Sequence, residues 1–281
     1  MLPEPAEGAE RVEDAQAWVL LPDAIRPGWH APPGIAALMS TRAGGVSSAP
    51  FDSLNLRPPA LPGDALDSPE AVHENQRRFA AALGAAPVWL NQVHGADVVR
   101  LTAADLQPGL ALPRADASIS TQPGVACTVL VADCLPVLFC SADGRAVGAA
   151  HAGWRGLAGG VLDNTVAALC QAAVCRPDQL LAWLGPCIGP QAFEVGPDVL
   201  LAFGADPLSP DPTIFRFSPR ADGSPRWRAN LPGLARQRLT SLGLQQITGG
   251  LWCTAENKSQ FFSFRVNNLT GRMAAAVAIR S

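Results

Sequence analysis

The sequence contains no tyrosine and only four histidines. No phenolic hydroxyl is available for acid–base work, and any imidazole site must draw on His30, His73, His94 and His151 alone. A CxxC pair and an HExxH signature are also missing. The seven cysteines fall at irregular spacing, which suits neither a disulfide framework nor a structural zinc finger, and most read as reduced, buried, small apolar groups. No apolar run approaches the roughly 20 residues that a membrane-spanning helix needs, so a membrane is not expected as a partner. Basic residues are scattered, and a net charge of -3 provides no field for gathering phosphate backbones. Nucleic acid is accordingly not expected as a partner. The opening stretch MLPEPAEGAERVEDAQ has neither a basic n-region nor an apolar h-region. Residues 1–16 therefore read as a disordered tail, and a cytoplasmic location is expected.

What is present is ordinary globular material: 281 residues, 48% hydrophobic and 16% charged, enough for one sizeable core. Residues 17–281 are expected to form a single domain, since no later shift in composition marks a boundary. Short runs rich in Val, Ile, Leu and Thr recur between turn signals and predict strands: IAALMST, PVWLNQVH, ADVVRLT, DASIST, VACTVLVAD, LPVLFC, AVGAAH, LLAWLGPC, QQITGGLWCT, FFSFRV and MAAAVAI. Helices are predicted over 68–84, with Ser68 as N-cap, Pro69 at the first position and Gly84 just past the end, and over 157–173 and 229–243, with a short one in GPDVLLAFG. The proline-rich stretch 205–227 is a surface excursion long enough to serve as a lid or subunit contact. The expected fold class is α+β, a layered α/β sandwich with a strand-rich core and outer helices.

His30 and His73 sit in contexts that suggest surface or packing roles. His94 in NQVHGAD and His151 in AAHAGWRG each end an apolar run beside glycine, where a side chain can project into a cleft. Cys134 in VLVADCLPV has the same placement. Two imidazoles and a thiolate suit one divalent metal with its fourth tetrahedral position open. Spacing alone is equally compatible with a core thiol and two hydrogen-bonded histidines. Asp133 and Asp116 are candidates for orienting a ligand imidazole, or for capping turns. The GWRG turn with Arg155 resembles an anion pocket but lacks the Lys-Ser/Thr of a nucleotide P-loop. Arg42 and Asn55 near an early glycine turn, and Arg265 and Arg272 near the end, are placed where arginines can converge on an anionic or polar substrate.

The series TRAGGVS with SLNL, NQVHGADVV, VADCLPVL, HAGWRG, GPCIGPQAFEVG and FFSFR with TGRMA resembles, in order and spacing, the bacterial YfiH-type family of polyphenol oxidase or laccase-domain proteins, purine nucleoside phosphorylases and peptidoglycan editing factors. The resemblance runs from about residue 34 to 279. It implies a zinc site at His94, Cys134 and His151. Phe193 and Val266 depart from the family, which more often carries tyrosine at the first and a second arginine at the second, while Phe264 stands where the family has an aromatic or histidine.

Among the family's activities, laccase chemistry needs more imidazoles than four histidines supply, although copper could occupy the site adventitiously. Phosphorolysis of a purine nucleoside (adenosine, inosine, guanosine or methylthioadenosine) absorbs more of the residues. It takes the nucleoside and phosphate as partners, uses Arg155 to hold phosphate, His94, Cys134, His151 and Asp133 at the reacting centre, and Arg42, Asn55 and Arg265 to position substrate. Adenosine deamination suits the same open metal, but its HxE and PCxxC signatures are absent. Hydrolytic editing of a mis-loaded UDP-MurNAc-amino acid precursor is the alternative, followed by a non-enzymatic zinc-stabilised domain. Oligomeric state is not indicated.

Overall fold

The computed structural model describes residues 21–63 and 67–280, so the tail expected at 1–16 lies outside the described residues. Two mixed sheets dominate. The larger runs β12 (Gln246–Gly249), β8 (Leu180–Leu184), β6 (Leu135–Ser141), β7 (Val147–Ala152), β4 (Ala117–Ser120), β3 (Val98–Leu101). The smaller runs β1 (Ile35–Met39), β13 (Met273–Ile279), β5 (Val125–Val131), β2 (Ala86–Val88). A separate antiparallel ribbon joins β10 (Phe215–Phe217), β11 (Trp227–Ala229) and β9 (Glu194–Val195).

Side-chain alternation explains how these sheets stack. On β13, Met273, Ala275 and Val277 face the larger sheet, where they meet Leu138, Cys140, Val147, Ala149 and Trp183. Ala274, Ala276 and Ala278 face the other way and pack under Phe79, Ala82 and Leu83. Those last three belong to α1 (Pro69–Leu83), which begins where Ser68 Oγ accepts the Ala71 N–H at 3.3 Å and ends at Gly84, φ 72°. The far face of the larger sheet carries Val137, Phe139, Ala150, Ala182 and Leu184 against α3 (Val161–Ala173) and α5 (Leu231–Ser241). The molecule is thus helix, sheet, sheet, helix, the layered α+β arrangement expected from the sequence. A strand such as MAAAVAI, buried on both faces, shows no polar alternation because neither side meets water.

Several elements differ from their predicted extent. The helix expected over 157–173 is two: α2 (Trp154–Ala158) and α3, separated at Gly159 and Gly160, the latter in the left-handed region at φ 91°. FFSFRV forms turns rather than a strand, and PVWLNQVH and QQITGGLWCT are extended only over Pro87–Val88 and Gln246–Gly249 of those runs. The 205–227 stretch contains β10 and leads into β11, and α4 (Pro197–Ala202) precedes it. Among the described residues, no helix is long and apolar enough to cross a membrane.

Phe79 is fully buried between α1 and the alanine face of β13. Phe79→Ala is expected to cost about 3–5 kcal/mol, read as a lower urea midpoint at unchanged slope. A midpoint equal to that of the parent would mean that α1 is not part of the cooperative unit.

Candidate metal centre and its cavity

The register of the larger sheet assembles the centre at one end. β6 pairs with β7 so that Pro136 faces His151 and Leu135 faces Ala152, which brings Cys134, one residue before β6, beside the end of β7. β4 pairs with β7 from Ala117 opposite Ala150, and the ladder extends one step further as His151 N donates to Asp116 O at 2.7 Å. β3 lies parallel to β4 and carries the loop of His94 alongside.

Asp116 is fully buried and binds this end together. Its carboxylate accepts the backbone N–H groups of Val93, His94 and Gly95 at 2.8–2.9 Å, and lies 2.8 Å from His151 Nδ1. The Nδ1 contact directs His151 Nε2 to the cluster. Burial alone would raise the Asp116 pKa, but the hydrogen bonds from His151, Gly95 and Val93 hold it below the usual carboxylate range. His94 is held with φ 60°, an uncommon conformation for a residue with a Cβ, by this carboxylate grip on its own N–H and its neighbours'.

The ligand atoms of His94, Cys134 and His151 lie within 4.8 Å of one another, and this is the one such group of three among the described residues. Cys134 Sγ is 3.8 Å from His94 Nε2, close to the edge of a tetrahedron whose bonds are about 2.0–2.3 Å long. The donor set therefore fits a single divalent ion with one position open. Burial would push the Cys134 thiol up, yet the two imidazoles, His151 foremost, bring it down to about 6. Burial would likewise depress His151, but the Cys134 thiolate and the Asp116 carboxylate lift it to about 9. The two groups thus favour each other's charged forms, and a cation held by the cluster would compete with the proton for the same ligand atoms.

The glycines of HAGWRG are explained by contact. A Cβ on Gly153 would lie 3.0 Å from both Cys134 Sγ and His94 Cδ2, and one on Gly156 would lie 2.7 Å from Gly95 O. The turn is glycine-rich because it packs directly on the three ligands and the loop that carries His94.

The cluster opens into a cavity of about 470 Å³, within the range of small-molecule sites. Asn91, Gln92, Asp133, Trp154, Phe193, Phe264 and four arginines, 57, 155, 265 and 272, contribute to its wall. Asp133 does not orient an imidazole. Held at φ 97°, it accepts Thr254 Oγ1 and Arg265 N at 2.6 Å each, and its carbonyl accepts Ile188 N at 2.8 Å. Arg155 is exposed, with its guanidinium 4.3 Å over Trp154. Arg265 lies 5.5 Å over Phe193 and donates to Glu194 O at 3.1 Å.

Arg42 and Asn55, expected to touch substrate, do not line this cavity. Arg42 donates to Asp52 and to Lys258 O and lies 4.9 Å over Phe262, tying two loops together. Asn55 is buried, its Nδ2 donating to Asp67 and its Oδ1 accepting two backbone N–H groups. Arg57 and Gln92 escaped the sequence reading. Arg57 opens the proline-rich loop after SLNL, and Gln92 exchanges two hydrogen bonds with the backbone of Leu130 on β5. Neither residue type at those positions signals a cavity wall.

Asp116→Asn removes the negative charge while keeping the shape. It is expected to weaken binding of a divalent ion at the cluster by roughly 10- to 100-fold, measured with added zinc in competition with a chromogenic chelator. Unchanged affinity would show that the imidazole is oriented without it.

The family profile described as multi-copper polyphenol oxidoreductase laccase matches residues 36–280. Purine nucleoside phosphorylase YfiH of Escherichia coli (strain K12) is 47% identical over 255 residues, 90% of this chain and 97% of the relative. Purine nucleoside phosphorylase PA4543 of Pseudomonas aeruginosa is 47% identical over 253 residues, with the same coverage. The crystal structure of Neisseria meningitidis protein NMB0706 superposes with a TM-score of 0.79 at 42% identity, covering 92% of this chain and all of that one. YlmD from Geobacillus stearothermophilus gives 0.78 at 31% identity, covering 91% and 97%. With a profile match over nearly all of the described residues and relatives this similar along nine-tenths of its length, the chain belongs to the YfiH-type, laccase-domain family.

Proposed function

We propose that the cavity is the active site of a zinc-dependent purine nucleoside phosphorylase. Its substrates in this reading are adenosine, inosine or guanosine, and methylthioadenosine, each cleaved by phosphate to the free base and the pentose 1-phosphate. The C1′–N9 bond breaks with its electron pair leaving on the purine nitrogen, which takes up a proton, while a phosphate oxygen forms the new bond to C1′. The observation that carries this reading is that a His-Cys-His group able to hold a metal and four arginines open on one nucleoside-sized cavity. The relatives' printed names point the same way.

His94, Cys134 and His151 would hold the metal, and a divalent ion there would supply Lewis-acid polarisation of an oxygen of one reactant. Arg155 and Arg265, on the cavity wall, contact substrate. Asp133 is the one acidic side chain among the described wall residues, and it supplies negative charge for an oxocarbenium-like transition state. Both of its carboxylate oxygens are already engaged, which suits electrostatic support better than the proton shuttling that deamination or amide hydrolysis demands. The laccase reading would need further copper ligands, and His30 and His73 lie outside the cluster.

The test is to incubate the zinc-loaded protein with inosine and with adenosine, with and without phosphate, and to follow free base, ribose 1-phosphate and inosine. Base release is expected to require phosphate and to fall by more than about 100-fold in His151→Ala. Inosine formed from adenosine regardless of phosphate would place deamination first, and no turnover of either nucleoside would overturn the assignment.

A further inference from the structure

The ribbon of β9, β10 and β11 borders the cavity but has no part in the chemistry proposed there. Its register places Trp227 opposite both Phe217 and Val195, and Trp227 and Val195 are buried. The neighbouring pairs, Arg216 opposite Arg228 and Arg228 opposite Glu194, therefore stand on the outward face as a row across three strands. Directly opposite residues have Cβ atoms about 4.5–5.5 Å apart, so the stems of Arg216 and Arg228 run side by side, a like-charged pairing that costs a sheet stability.

The hairpin beyond β10 adds two more arginines. Ser218 N donates to Arg226 O at 2.8 Å and Arg220 N to Ser224 O at 3.1 Å, which turns Arg220 and Arg226 back toward the row. Glu194 gathers them: its Oε1 lies 2.6 Å from Arg220 Nη2 and 3.9 Å from Arg226 Nε, and its Oε2 lies 3.8 Å from Arg228 Nη2. Arg216 donates to the neutral Gln191 Oε1 at 2.6 Å. Asp211 and Asp222, acids of the same segment, are engaged by the N–H and hydroxyl of Thr213 and of Ser224 in their own turns. Among the described residues, one carboxylate thus serves three guanidiniums, and a fourth beside them pairs with no acid.

Arg265 connects this row to the cavity. Its guanidinium lies 5.5 Å over Phe193, a fellow wall residue, and its Nη1 donates to Glu194 O at 3.1 Å. An anion tethered to a molecule in the cavity can pass Arg265 and reach the ribbon.

We infer that the outward face of the ribbon binds the phosphate chain of a nucleotide whose nucleoside part occupies the cavity. The inference rests on the nucleoside reading of the cavity and extends its ligands to nucleotides. Guanidinium forks match phosphate oxygens two at a time, and a multivalent anion satisfies a row of them better than one carboxylate does. The chain leaves from the 5′ oxygen, which takes no part in cleavage at C1′, so the ribbon is a subsite outside the reacting centre.

The test is calorimetric titration of the zinc-loaded full-length protein, in phosphate-free buffer, with adenosine, ADP and tripolyphosphate. ADP is expected to bind roughly 10-fold more tightly than adenosine, with the advantage shrinking as salt is raised. Arg216→Gln and Arg228→Gln are each expected to weaken ADP by about 3- to 10-fold and leave adenosine unchanged, while Arg77→Gln on the exposed face of α1 changes neither. Glu194→Gln, which removes the competing carboxylate, is expected to tighten ADP. Arg216 is exposed and bonded through a side chain, so its substitution leaves the ribbon's backbone pairing intact. ADP binding no tighter than adenosine overturns the inference and leaves the nucleoside reading standing. ADP affinity that survives both arginine substitutions overturns it too, because the phosphates then rest elsewhere, as does tripolyphosphate that binds as tightly as ADP. Absence of adenosine binding is the separate failure of the nucleoside reading, and the inference falls with it.

Discussion

The buried carboxylate of Asp116 is the interaction on which the centre depends. Withdrawn from solvent, it is stable only because each of its oxygens is met by donors, and those donors are the backbone of 93–95 and the ring of His151. Satisfying one buried charge therefore fixes two histidines at once, His94 on the loop before β3 and His151 on β7. The arrangement is also electrically purposeful. A negative group behind His151 opposes the low-dielectric penalty on a cation at the cluster and keeps the imidazole turned toward Cys134.

The sheets supply the rest of the geometry without special devices. Antiparallel register alone carries Cys134 to the end of β7, and parallel pairing of β3 with β4 delivers the loop of His94 to the carboxylate. The opposite wall comes from loops that flank the smaller sheet, so the cavity lies where segments from both halves of the sandwich approach each other. Asp133 and Asn55 do for that wall what Asp116 does for the metal centre. Each is a short polar side chain whose hydrogen bonds join segments more than a hundred residues apart.

Much of this was legible in the sequence, for identifiable reasons. Apolar runs ending in His beside glycine, or broken by Asp-Cys ahead of a proline, mark strand ends that face a cleft, and that local signal singled out His94, His151 and Cys134. It could not choose between Asp116 and Asp133 as the partner of an imidazole, because the choice depends on the register between β4 and β7. Nor does an arginine after a strand reveal which way it points: Arg42 and Arg272 look alike in sequence, yet one ties loops and the other lines the cavity. The break between α2 and α3 was hidden because the apolar periodicity of LAGGVLDNTVAALCQAA continues through the glycines, and periodicity carries no record of φ. The strands were easier to recognise than to delimit, and FFSFRV shows that an aromatic, β-prone run folds into turns when its backbone must bring Arg265 to Asp133.

The position of β13 has a consequence for how the chain reaches this state. It is an inner strand, hydrogen-bonded to β1 on one side and β5 on the other, and Ala274 N donates to Ser40 Oγ across 234 residues. During synthesis β1 must wait with an unpaired edge and a row of exposed apolar side chains until the ribosome has passed residue 279 and released it from the exit tunnel. The central pairing of the smaller sheet is thus a contact of very long sequence separation, the kind that loop-closure entropy delays until late in folding.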